Sequence, residues 1–204
     1  MRTNRRLGLA VGALLGVLGL GLVFVFAVGL PKITEPDDPE LPDSLPGGWV
    51  AVDIATPPDG SADSEGSVST DSQRKATEYV REVYDDVYDE PVAFRAYTDK
   101  DYSRFVVVTV FTSDGGAFAP PNGVADPEAL ELQRATTELV RRGDVVCVAS
   151  YQAVGLDEDE TEGSDLPLGV SCQLPTGGRT IQLATNGLDL DATVDLVHEV
   201  ADRI

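Results

Sequence analysis

Residues 7–30 form a run of 24 residues with no charge and no side chain able to hydrogen-bond. Such a segment needs an apolar medium, and a helix is the one form in which a single segment satisfies its own backbone there. At 1.5 Å rise per residue the run covers about 36 Å, enough to cross a hydrocarbon core of about 30 Å with some tilt. Arg2, Arg5 and Arg6 precede it, whereas Lys32 is followed by Glu35, Asp37, Asp38 and Glu40. The positive-inside rule then predicts a single-pass protein of the cell membrane, with residues 1–6 as a cytoplasmic tail and the C-terminal part outside. The run exceeds the apolar core of a secretory signal, although Ala27-Val28-Gly29 has the small-x-small form of a cleavage site. Gly8, Gly12 and Gly16 share one face of this helix at the four-residue spacing that lets two membrane helices approach, so a homodimer through that face is an expectation.

The remainder of the chain is strongly acidic. Residues 31–204 carry 35 Asp and Glu against 12 Lys and Arg, a net charge of −23, with Asp ahead of Glu by 22 to 13. A surface of that sign repels nucleic acid, which is excluded as a partner, and anionic headgroups. Self-repulsion on this scale destabilises a compact state at low ionic strength and is largely screened at molar salt. The composition therefore predicts a salt-adapted protein.

Seven prolines lie between residues 31 and 69 among Asp, Ser and Gly, a composition expected of a linker that does not fold alone. Its exception is the β-like run at residues 49–54, read as a short edge strand. The folded domain is expected over residues 70–204. Ala76, Tyr79, Val80, Val83, Tyr84, Val87 and Tyr88 form an apolar stripe at helical spacing, ended by Pro91. Strands are predicted over 92–97 and 104–112, the second apolar on both faces and hence central. A second helix is expected from an Asp126 cap, with Pro127 at its first position, to Gly143 just past its end. Strands over 144–154, 168–174 and 179–185 and a helix from Asp189 complete an αββαβββα order. The fold class is α+β, an antiparallel sheet packed by helices.

Cys147 and Cys172 are the only cysteines. Placed opposite one another in an antiparallel pair, they set Ala149 against Val170 and leave Val148 against Ser171, giving one apolar face and one mostly polar face. A slip of one residue would turn the apolar set toward solvent. The pattern predicts a buried structural disulfide, with Ile181 beside Cys172 on the next strand.

Motifs that would specify a reaction are absent from the sequence. The acidic run at 157–162 lacks the glycine and terminal glutamate of a calcium loop. His198, the sole histidine, has no nucleophile motif beside it. No cofactor or metal is expected. The long loop 113–123, with Asp114, Phe118 and Asn122, is the best candidate interaction surface. The expected function is an extracytoplasmic accessory or interaction module whose partner is another envelope protein. The alternatives are an envelope hydrolase and a structural component that oligomerises through its membrane helix.

Overall fold

The computed structural model describes residues 39–56, 69–88, 90–116, 118–120, 123–157 and 165–204. The segment 7–30, and with it Gly8, Gly12 and Gly16, lies outside the described residues. Among the described residues no helix is long and apolar enough to cross a membrane. The compact unit that holds the sheet spans Asp38–Ile204.

The fold is α+β, with one antiparallel sheet of eight strands and two helices. In chain order the elements are β1 (Ser44–Leu45), β2 (Trp49–Ala51), α1 (Thr70–Tyr88), β3 (Val92–Thr98) and β4 (Phe105–Phe111). They continue with β5 (Thr137–Arg142), β6 (Val145–Ser150), β7 (Gly169–Thr176), β8 (Arg179–Asn186) and α2 (Leu190–Ala201). The spatial order is β1-β2-β3-β4-β8-β7-β6-β5. The valine-rich β4 sits well inside the sheet, between β3 and β8, as its two apolar faces require.

Alternation gives the sheet two unlike faces. One carries Tyr97, Val106, Val108, Val110, Cys147, Cys172, Ile181 and Leu183, all buried. Helix α2 lies on this face with Leu196, Val197 and Val200 inward; its Asp189 cap accepts from Ala192 N at 2.7 Å. The other face carries Phe94, Val107, Thr109, Phe111, Gln182, Ser171 and Val148. Helix α1 covers only its β3–β4 corner, where Tyr84 packs edge-on to Phe94 at 5.9 Å and Tyr88 meets Phe111 at 5.0 Å.

The β6–β7 register matches the expectation, with Cys147 opposite Cys172, Ala149 opposite Val170 and Val148 opposite Ser171. The two cysteines are joined and completely buried. The next pairing is shifted by two residues from the expected one, so Leu183 rather than Ile181 stands beside Cys172. The turn explains the shift. A two-residue loop with both φ positive demands glycine at both positions, and Gly177 (φ 57°) and Gly178 (φ 77°) are that pair, not Thr176 and Gly177. A shift of two keeps every side chain on its expected face.

The helix expected over 126–143 does not form. A short 3-10 turn at Glu128–Leu130 is followed by strand β5, which pairs with β6 from Thr137↔Ser150 to Arg142↔Val145. Gly143 does take a positive φ, 62°, but as the first residue of the two-residue β5–β6 hairpin, where glycine is likewise preferred.

Helix α1 also differs in rotation. Arg81 Nε donates to Phe94 O at 3.0 Å, and Asp85 accepts from Val92 N at 3.1 Å. These bonds cap the outer edge of β3 and turn Thr77, Val80 and Tyr84 toward the sheet. Tyr79 and Val87 of the expected inward stripe are left 67% and 66% exposed.

The packed unit reaches back past residue 70. Trp49 is 5% exposed, Ala51 and Tyr97 face each other across β2 and β3, and Leu41 and Leu45 join the same core. Arg95 fixes this segment from β3. It donates to Asp53 Oδ1 at 3.1 Å and to Leu41 O at 3.0 Å, and pairs with Asp43 at 2.8 Å. Tyr97 donates its hydroxyl to Pro42 O at 2.9 Å. Burial opposes the charge on Arg95, but the bonds to Asp53 and Asp43 outweigh it and raise the guanidinium above its ordinary value.

A buried carboxylate shapes the β3–β4 loop. Asp99 accepts from Ser103 N and Oγ at 2.9 and 2.8 Å and from Arg104 Nε at 3.0 Å. Burial alone would raise this carboxyl; the bonds from Arg104 and Ser103 prevail and hold it well below the usual carboxylate range. Arg104 also lies 5.4 Å over the Trp49 ring, joining the loop to the N-terminal segment.

Candidate functional site

The connection leaving β4 runs across the sheet face that α2 does not cover. Thr180 Oγ1 donates to Ser113 O at 2.8 Å, pinning the start of the loop to β8. At Gly115 the backbone comes so close that a Cβ would lie 2.9 Å from Gln173 Nε2 and 3.0 Å from Pro175 Cβ. Any larger residue there would press on the side chains of Gln173, Pro175 and Thr180. Phe118 then lies half-buried over the middle of the sheet.

Two depressions flank the Phe118 ring. One, of about 200 Å³, is walled by Tyr84 and Phe118 and floored by Phe94, Val107, Thr109 and Gln182. The other, of about 320 Å³, lies between Phe118–Pro120 and the strand residues Val148, Ser150 and Ser171. Together they make a groove from α1 to β6. The described lining residues are aromatic, aliphatic or uncharged polar, so the groove can bury apolar groups and exchange hydrogen bonds.

Of the expected loop residues, Phe118 stands at the centre of this groove, whereas Asp114 is exposed and lines neither depression. Asn122 lies outside the described residues. Tyr84 and Tyr88 pack with Phe94 and Phe111, Tyr97 is buried on the opposite face, and Tyr102 sits in the β3–β4 loop with a positive φ of 55°. Sequence reasoning missed the floor, because Val107, Thr109 and Gln182 meet only through the β4–β8 pairing of residues more than 70 positions apart.

A third cavity, of about 400 Å³, opens where residues 39–43 meet β3 and α1, lined by Arg81, Arg95, Glu40, Asp43 and Asp53. Its charges are largely spent on holding the N-terminal segment. His198 lies on α2, on the opposite face from the groove, 3.6 Å from Asp144 Oδ1 with both side chains well exposed. Among the described residues no three His, Cys, Asp or Glu side chains gather as a metal site would require. Most of the acidic run at 157–162 lies outside the described residues. Compared with protein-family models, curated proteins and solved structures, the chain matches none.

Proposed function

We propose that this chain is a membrane-anchored interaction module, with residues 7–30 crossing the bilayer and the acidic domain displayed outside the cytoplasm on the stretch that follows. The observation that carries the docking reading is the groove around Phe118. It is an aromatic-walled channel on the sheet face opposite α2, with hydrogen-bonding side chains at Thr109, Gln182, Ser150 and Ser171 and no charge among its described lining residues. Such a surface suits an apolar segment of another envelope protein. The topology rests on the asymmetry of three arginines before the apolar run and acids after it.

One experiment tests both parts. Phe118→Cys is labelled in intact cells with a membrane-impermeant maleimide that carries a photoactivatable group. Labelling should occur without lysis, and light should then join position 118 to one envelope protein far more than the same label at Asp202→Cys on the opposite face. No labelling of intact cells overturns the orientation. Labelling with no more adduct at 118 than at 202 overturns the docking surface.

The charge of −23 over residues 31–204 underlies the salt-adapted part of the proposal. The melting temperature of the purified chain should rise from low salt to molar sodium or potassium chloride. The first part of the rise comes from screening, nearly complete by a few tenths molar, where the Debye length is below about 10 Å. A flat or falling melting temperature would show that the acidity serves another purpose.

A further inference from the structure

The two ends of the sheet are treated differently. Beyond β3 the sheet is finished by β2 and the two-residue β1, and the uncovered part of β3 is capped by Arg81 and Asp85. At the other end β5 is an edge strand of six residues, Thr137–Arg142. Its two-residue hairpin closes at Arg142↔Val145, a pair that exchanges hydrogen bonds, so Arg142, Val140 and Glu138 turn their backbone groups toward β6. The cystine agrees. A Cα separation of 4.0 Å marks Cys147↔Cys172 as a pair without mutual hydrogen bonds, which turns the backbone of Cys147 toward Val140. The N–H and C=O groups of Thr137, Leu139 and Arg141 therefore point away from the sheet. No backbone bond to them occurs among the described residues.

An open edge of this length is a template for another strand. Its sequence, Thr-Glu-Leu-Val-Arg-Arg, is complementary to itself when reversed. A two-fold axis normal to the sheet, midway between the two strands at the level of Val140, sets Val140 against its own copy and Leu139 against Arg141. The same axis places Glu138 against Arg142 twice over, on one face. Residues 134–142 carry three arginines and one glutamate in a chain of net charge −20, so this edge also avoids the acid-on-acid contact that most self-association would incur. The present partners of these charges do not prevent the exchange: Arg142 meets Asp191 at 3.4 Å in an exposed, weak pair, and Glu138, held by the part-buried Arg134 at 2.9 Å, keeps a second carboxylate oxygen for Arg142 of the other copy.

We propose that two copies of this chain pair antiparallel through β5, in the register that opposes Glu138 and Arg142, making one continuous sheet. The occupant of the edge is a second copy, because its charge pattern is the one the edge itself supplies. This is independent of the Phe118 groove, which lies elsewhere on the sheet, and of Gly8, Gly12 and Gly16.

The register gives a specific test in native membranes. Both natural cysteines are already bridged, so introduced thiols are the only free ones. Glu138→Cys co-expressed with Arg142→Cys should form a covalent dimer under mild oxidation. Either variant alone should not, because like positions are offset by four residues, about 13 Å along the strand. Adding Leu139→Pro to both chains removes an outward N–H without touching the β6 ladder. It should abolish the cross-link while the 147–172 bridge remains intact. Absence of the mixed dimer overturns the proposal. So do equal cross-linking of the single variants and a cross-link that survives Leu139→Pro.

Discussion

Replacing Arg95 by alanine should cost the domain about 2–3 kcal/mol, the penalty for leaving the Leu41 carbonyl and the partly buried Asp53 carboxylate without their donor. The loss is not shared equally among its partners. Asp43 approaches most closely, at 2.8 Å, yet its side chain is 76% exposed, so water replaces Arg95 there at a cost of under about 1 kcal/mol. Asp53, 17% exposed, and the Leu41 carbonyl have no such substitute. The double variant Arg95→Met, Asp53→Leu should therefore recover much of the loss, whereas Arg95→Met with Asp43→Ala should not. Trp49, the sole tryptophan, reports the event. Its emission should shift to the red in Arg95→Ala at denaturant concentrations where the circular dichroism of the sheet persists, since Arg95 ties down the segment in which Trp49 is buried. Coincident loss of both signals at an unchanged midpoint would refute the clamp.

The second large effect concerns the cystine. Closing a loop with a sequence separation of 25 residues should contribute about 3 kcal/mol by restricting the unfolded chain. For a domain of this size that corresponds to a melting temperature lower by about 6–12 °C in the Cys147→Ala, Cys172→Ala variant. Alanine is chosen because serine would leave two hydroxyls in a face of valine and leucine. The native bridge should also resist reductant in the folded state, because neither cysteine is exposed and a thiolate must reach the sulfur to displace it. Rapid reduction without denaturant, or a double variant that melts with the parent, would contradict this.

What could be read from the sequence followed how local its physical cause is. The β6–β7 register is set by strict alternation around Cys147 and Cys172, and a single-residue slip would have exposed the whole apolar set. Strand β4 is likewise specified by its unbroken apolar run and helix α2 by its own periodicity. Residues 126–143 misled because two features there carry two meanings. A glycine with positive φ ends a helix as well as it opens a hairpin, and Asp126-Pro127 starts a 3-10 turn as readily as an α-helix. Nothing between Thr137 and Arg142 alternates cleanly enough to announce an edge strand. The burial of Trp49 was hidden for another reason. It depends on Arg95 and Tyr97, whose bonds to Leu41 and Pro42 span 54 and 55 residues. Among the candidate interaction residues, Phe118 could be picked out as the aromatic in a long loop. The floor beneath it could not, being assembled from three separate strands.

The capped margin at β3 has a consequence for how large an assembly of these sheets can grow. A sheet with two free margins can recruit a neighbour on each side and continue without limit, the geometry of a fibre. Here Arg81 and Asp85 occupy backbone groups along one margin, and the strand completing that side is only two residues long. Among the described residues β5 is the long open margin, and pairing through it as proposed would leave the two-residue β1 at both ends of the shared sheet. On that proposal, growth along the sheet would stop at two copies, because a margin of two residues is a poor template for another strand, and many copies at high concentration would not fuse into an endless array.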